Sequence, residues 1–138
     1  MGDLIQGRPL VPGRARGRLL VSSEPLSFWG GYDPATGEII DRRHPLAGEV
    51  ARGRVLALPE TRGSSTTTAI LLEAVRAGNA PSALLTEGVD AFLTLAAVVA
   101  EELYDITLPV VALSPDDFRG LTSGHEVRVD ESGRVTPL

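Results

Sequence analysis

The chain has 138 residues, 43% of them apolar and 22% charged, with a net charge of −5, the composition of one ordinary soluble globular domain rather than a disordered or fibrous chain. It has no cysteine, and all 13 of its Lys and Arg positions are arginine. A disulfide framework, a thiolate metal site, a cysteine nucleophile, Schiff-base chemistry and a P-loop lysine are therefore excluded within this chain. In chain order, the first 60 residues are dense in Gly and Pro and hold short β-prone runs that predict strands over 18–22, 38–40 and 54–58. Between the first two lies Glu24-Pro25-Leu26-Ser27-Phe28-Trp29-Gly30-Gly31-Tyr32-Asp33-Pro34, which reads as a shaped loop. From Ser64 the period becomes helical, with Ile70, Leu71, Ala74 and Val75 on one face and Glu73 and Arg76 on the other, ended by Gly78 and Pro81. A strand over 82–86 follows, then a helix over 91–104 with Asp90 as its N-cap. Because 91–100 is apolar nearly all round except Thr94, that helix is expected to be buried on several sides at the centre of the domain. Strands over 109–113, 125–130 and 134–136 complete the chain, the last two joined by a turn at Glu131-Ser132-Gly133. The order predicts one α/β domain over 1–138, with a parallel portion wherever a helix crosses between strands.

Residues 1–63 carry nine arginines against seven acids, and 64–138 four against eleven. Nucleic acid is not an expected partner, because the overall sign is wrong and aromatic platforms are few. The longest apolar run, 95–100, is far shorter than the roughly 20 residues that span a bilayer. The start of the chain shows no basic region followed by an apolar stretch, so a cytoplasmic location is the expectation.

Three constellations carry possible chemistry. The first is Leu58-Pro59-Glu60-Thr61-Arg62-Gly63-Ser64-Ser65-Thr66-Thr67-Thr68, a hydroxyl-rich turn between a strand and a helix. Free N–H groups and the helix dipole favour an anion there, and Arg62 adds a bidentate donor for carboxylate or phosphate. Ser64 as a plain N-cap is the competing reading, although five consecutive hydroxyls exceed what one cap needs. The second is Asp41-Arg42-Arg43-His44-Pro45, where His44 is either a general acid or substrate donor, or a turn residue. His125 lies in the C-terminal hairpin, so a two-histidine metal site has little support, and a Ser64–His44–Asp41 triad lacks a nucleophile elbow. The third is Ser27-Phe28-Trp29, which either anchors its loop in the core or packs on a partner.

Taken together, the run Gly7-Arg8-Pro9-Leu10-Val11-Pro12-Gly13, the segment from Glu24 to Gly31, Asp33-Pro34, Ile40-Asp41, His44-Pro45-Leu46, Arg62-Gly63-Ser64-Ser65 and Ala80-Pro81 resembles the small subunit of aconitase X. The resemblance spans roughly residues 5 to 112. It implies a swivelling β/β/α domain like the mobile C-terminal domain of aconitase, supplied as a separate subunit that acts only in a heterodimer or higher assembly with a large subunit. No cofactor is expected in this chain; the resemblance places an iron–sulfur cluster in the large subunit, where the iron acts as a Lewis acid on the leaving hydroxyl. It implies a hydro-lyase reaction on a small anionic or zwitterionic hydroxy acid, with Ser64 as the proton acceptor and Ser65 as its alternative. Arg62, Gly63, Ser65 and His44 are then the expected substrate-binding residues, and Ser27, Phe28 and Trp29 the expected partner interface. Family members differ in substrate. The Thr61-Arg62-Gly63-Ser64-Ser65 turn looks more like the bacterial members, which act on cis-3-hydroxy-L-proline, than the archaeal ones, which act on mevalonate 5-phosphate. Glu60-Thr61 departs from the small residue and Gly usual at those places. A non-catalytic binding module that keeps the swivel fold is the alternative of a different class.

Overall fold

The computed structural model describes residues 3–62 and 66–138. In chain order the elements are β1 (Ile5–Gln6), β2 (Arg8–Val11), β3 (Ala15–Val21), β4 (Val55–Leu58), α1 (Thr66–Ala77), β5 (Ala83–Glu87), α2 (Ala91–Tyr104), β6 (Val110–Leu113), α3 (Pro115–Arg119), β7 (Glu126–Val129) and β8 (Arg134–Pro137). They form a sheet in the order β1-β8-β7-β3-β4-β5-β6-β2. Strands β3, β4, β5 and β6 run parallel, with α1 and α2 as the crossovers between β4, β5 and β6.

Strand β3 serves two partners. Its first half, from Ala15 to Arg18, pairs antiparallel with β7, and its second half, from Leu19 to Val21, pairs parallel with β4. The antiparallel ribbon so formed lies over one face of the parallel strands while α1 and α2 cover the other, giving β/β/α layering. The two core clusters follow this division. Leu56, Leu58 and Leu84 point to the helix side with Leu71, Ala74, Leu93 and Ala97. Their sequence neighbours Val55, Ala57, Ala83 and Leu85 point the other way, against Phe118, Val127, Val129 and Val135. Strands β4 and β6 are buried along their whole length for this reason, and read as continuous apolar runs rather than as alternating ones.

The sequence-based elements differ from the structure in three places. Residues 38–40 make only isolated bridges, Tyr32 with Ile39 and Glu38 with Val50, inside a loop running from β3 to β4. Strands β1 and β2 lie in the Gly- and Pro-dense start, where Pro9 is tolerated because β2 is an edge strand. Helix α3 is five residues long, capped by Ser114 with Pro115 in its first turn, too short to show a period.

A fourth difference concerns α2, which is not buried on all sides. Leu93, Ala96, Ala97 and Ala100 are buried, but Phe92, Leu95 and Val98 are 38%, 52% and 45% exposed. The sheet and α1 cover one side of this helix only.

Candidate functional site

The site forms where the chain leaves the carboxyl ends of β3 and β4, the edge at which parallel sheets bind ligands. After β3 the chain turns tightly at Ser22, whose buried hydroxyl donates to Glu24 O at 2.9 Å and accepts from the Glu24 N–H at 3.0 Å. After β4 it runs through Pro59 to Arg62. The two exits are laced together by a parallel bridge between Leu26 and Thr61, with Arg62 N–H donating to Leu26 O at 2.9 Å.

The second exit is also fixed to α2 through Asp90, which is 7% exposed. One oxygen of its carboxylate accepts from the Phe92 and Leu93 N–H groups, the N-cap expected from the sequence. The other accepts from the Thr61 N–H at 2.7 Å and the Thr61 hydroxyl at 2.8 Å. Thr61 thus uses its hydroxyl to clamp the turn to the helix. Sequence reading found only the cap. A hydroxyl 29 residues upstream of an N-cap carries no local signal.

Glu24, Pro25, Ser27, Asp41, Arg43, His44 and Arg62 line one cleft of about 380 Å³. The structure therefore brings together Arg62 and His44, expected to bind substrate, with Ser27, expected at the partner interface, and adds Arg43, Asp41 and Glu24. None of Glu24, Asp41, Arg43 and Arg62 forms an ion pair with a described residue. Gly63, Ser64 and Ser65 lie outside the described residues, as does the proposed cap at Ser64. Their flanks are Arg62 on the cleft and Thr66 at the start of α1.

His44 is buried in the cleft wall. The Leu46 N–H donates to its Nδ1 at 3.1 Å, which assigns the ring proton to Nε2. That proton faces Pro25 O at 3.2 Å and, more distantly, Glu24 O and the Ser22 hydroxyl. Both ring nitrogens face partners within the chain, so the geometry favours the turn reading, in which His44 joins the 41–46 turn to the 22–25 turn.

The aromatic loop divides. Phe28 is fully buried and stacks on Tyr32 with ring centroids 5.1 Å apart, which corrects the expectation that it lies at a partner interface. Trp29, next in sequence, is 68% exposed. Tyr32 is itself buried, donates to Asn79 O at 2.7 Å, and has its phenol pKa pushed well up by burial. Gly31 is required between them, since a Cβ there would sit 2.1 Å from Ser27 O.

Among the described residues no three His, Cys, Asp or Glu side chains gather as a metal site, and no helix is long and apolar enough to cross a membrane.

The model of the aconitase X swivel domain matches residues 4–136, and the chain belongs to that family. It is 50% identical over 110 residues, 80% of its length, to a cis-3-hydroxy-L-proline dehydratase from Pseudomonas aeruginosa, and spans only 19% of that relative. It is 35% identical to a phosphomevalonate dehydratase small subunit from Methanothermobacter thermautotrophicus, covering 93% of this chain and 95% of the relative. The solved structure of Thermococcus kodakaraensis aconitase X in its holo form superposes with a TM-score of 0.88 over 99% of both chains, at 31% identity.

Proposed function

We propose that this chain is the swivel subunit of a two-subunit aconitase X hydro-lyase that dehydrates a small zwitterionic hydroxy amino acid of the cis-3-hydroxy-L-proline type. The observation that carries the choice of substrate is the charge balance of the cleft. Two arginines, Arg43 and Arg62, face it together with two acids, Glu24 and Asp41. A substrate bearing one carboxylate and one ammonium offers a partner to both kinds of side chain, whereas a phosphorylated hydroxy acid brings groups for the two arginines but no cation for the two carboxylates. Half identity to the P. aeruginosa dehydratase supports the same choice.

In this reading Arg62 holds the substrate carboxylate through its planar fork. Ser64 accepts the proton from the carbon next to the leaving hydroxyl, with Ser65 as its alternative. A serine alkoxide is costly unless negative charge is stabilised where it forms. The amino end of α1 and the Arg62 guanidinium flank Ser64 in sequence and favour charge of that sign. The iron–sulfur cluster that the family implies does not fit this chain: it has no cysteine, and the described residues offer no clustered ligands. The proposal places the cluster, with the rest of the site, on a large subunit, and assigns Trp29 to the contact with it.

The test is co-expression with a large aconitase X subunit and a dehydration assay, followed by NMR, on cis-3-hydroxy-L-proline and on mevalonate 5-phosphate. Turnover of the hydroxyproline alone is expected. Turnover of the phosphorylated acid alone would reassign the substrate. Turnover by the isolated chain would overturn the two-subunit reading, and an inactive but intact complex would leave the swivel fold as a binding module.

A further inference from the structure

The outward face of α2 is apolar where a solvent-facing helix is normally polar. Phe92, Leu95 and Val98 are spaced three apart and form one stripe, with Val89, also exposed, just ahead of it. Scattered exposed apolar residues need no explanation, but three in one row on a helix, with a fourth just ahead of it in sequence, do. Helix α1 supplies an internal comparison, because its exposed side carries Glu73 and Arg76 as an ion pair.

The charges carried by α2 and the segments that flank it in sequence are of one sign. From Ala77 to Phe118 the sequence contains no Arg, Lys or His, and seven acids. Of these, Glu87, Glu101, Glu102 and Asp105 are exposed near the two ends of α2. Two copies of this face would bring acidic rims together, which disfavours self-association. An apolar surface with a basic rim is complementary. The stripe also begins at the functional end of the molecule: Val89 precedes Asp90, which holds Thr61 beside Arg62.

We propose that this stripe is the docking face for the large subunit, whose matching surface is apolar and rimmed by Arg or Lys. The proposal rests on the two-subunit reading above. Its occupant is argued from length as well as charge. The chain matches 19% of the P. aeruginosa relative, so about four-fifths of that polypeptide lies outside the region matched here, a body large enough to cover such a face. A contact starting at Val89 puts the Arg62 turn at the junction, where a site shared between two chains has to be completed.

The experiment uses the complex formed with the large subunit, measured by analytical ultracentrifugation across a concentration series, with dehydratase activity read in parallel. Leu95→Glu and Val98→Glu lie on the outside of the helix and are expected to leave the melt of the small subunit unchanged while weakening the complex roughly tenfold or more. Val50→Glu, an exposed apolar position in the loop before β4, is the control and should leave association intact. Should either charged variant fold poorly, Leu95→Ala is read in its place. Glu101→Lys with Glu102→Lys should weaken the complex as well, and the loss should shrink as salt is raised.

Assembly unaffected by the stripe variants overturns the proposal. So does a wild-type chain that dimerises through the stripe, or one that fails to bind the large subunit at all. A complex that assembles through the stripe yet dehydrates neither substrate supports the docking face and rejects the catalytic reading instead.

Discussion

Asp90 is where the geometry of the turn can be tested most directly. Its carboxylate accepts four hydrogen bonds, two closing the amino end of α2 and two from Thr61. Loss of an N-cap costs about 1 kcal/mol. Each hydrogen bond to a charged group is worth about 1.5–3 kcal/mol, but Thr61 is only half-buried, so water recovers part of both once the carboxylate is gone. Asp90→Ala should therefore destabilise the isolated chain by about 3 kcal/mol. At about 2.1 cal/mol/K of unfolding entropy per residue, that lowers Tm by about 10 °C in a domain of this size. Thr61→Val removes one of the four bonds and should cost about 1 kcal/mol. Because the side chains touch, the double variant should lose less than the two single losses combined, with a coupling of about 1 kcal/mol. The assay is urea and thermal unfolding of the four proteins followed by far-UV circular dichroism. A loss of only about 1 kcal/mol for Asp90→Ala, with no coupling to Thr61, would reduce Asp90 to a cap and refute the clamp.

Four further outcomes are expected. In the assembled enzyme, Ser64→Ala should lower kcat by about 10²–10⁴-fold while Ser65→Ala has a smaller effect; steady-state kinetics of both variants decide which hydroxyl is the base. Arg62→Lys replaces a fork by a point charge and should raise KM, with kcat/KM falling by the equivalent of about 1.5–3 kcal/mol, and unchanged kinetics would place Arg62 outside the site. Phe28→Ala should cost about 3–5 kcal/mol in unfolding experiments, whereas Trp29→Ala should leave the isolated chain within about 0.5 kcal/mol of wild type and weaken only the complex. Tyr32 titrates above its ordinary value of 10.0 because burial favours the neutral phenol. Its contribution is present below that value and lost as pH rises towards the folded pKa, so melts should fall more steeply above pH 10 in wild type than in Tyr32→Phe.

The parts of the fold that were legible in the sequence are those whose signal is local and periodic. Ile70, Leu71, Ala74 and Val75 mark the inner face of α1, Asp90 marks the start of α2, and the short apolar runs became β4, β5 and β6. The candidate site was legible only as pieces. Arg62 and His44 were picked out by residue type, yet what brings them together is the pairing of Leu26 with Thr61 and the engagement of both His44 nitrogens by loop backbone. The Leu26–Thr61 and Pro25–His44 contacts join residues about 20 to 35 positions apart in irregular segments, where neither a period of 2 nor one of 3.6 applies. Phe28 and Trp29 show the same limit at its sharpest. Adjacent in the chain and both aromatic, they are separated by one turn of backbone into core and surface, and composition assigns them the same role.

The misreading of α2 has a different origin. An apolar period all round a helix says that every side will be covered, and it is silent on which chain does the covering. A crossover helix lying on one sheet beside one neighbouring helix can bury only part of its circumference in its own domain. Here that part is the Leu93, Ala96, Ala97 and Ala100 stripe, small enough for close approach to the sheet. Phe92, Leu95 and Val98 fall on the side that this architecture leaves bare. Keeping them apolar spends solubility for no gain in the isolated chain, since an exposed Glu or Arg at those positions would cost the helix nothing. The expectation of burial therefore fails within this chain, and the docking proposal is the reading under which a second polypeptide would supply the missing cover along the Leu95 stripe.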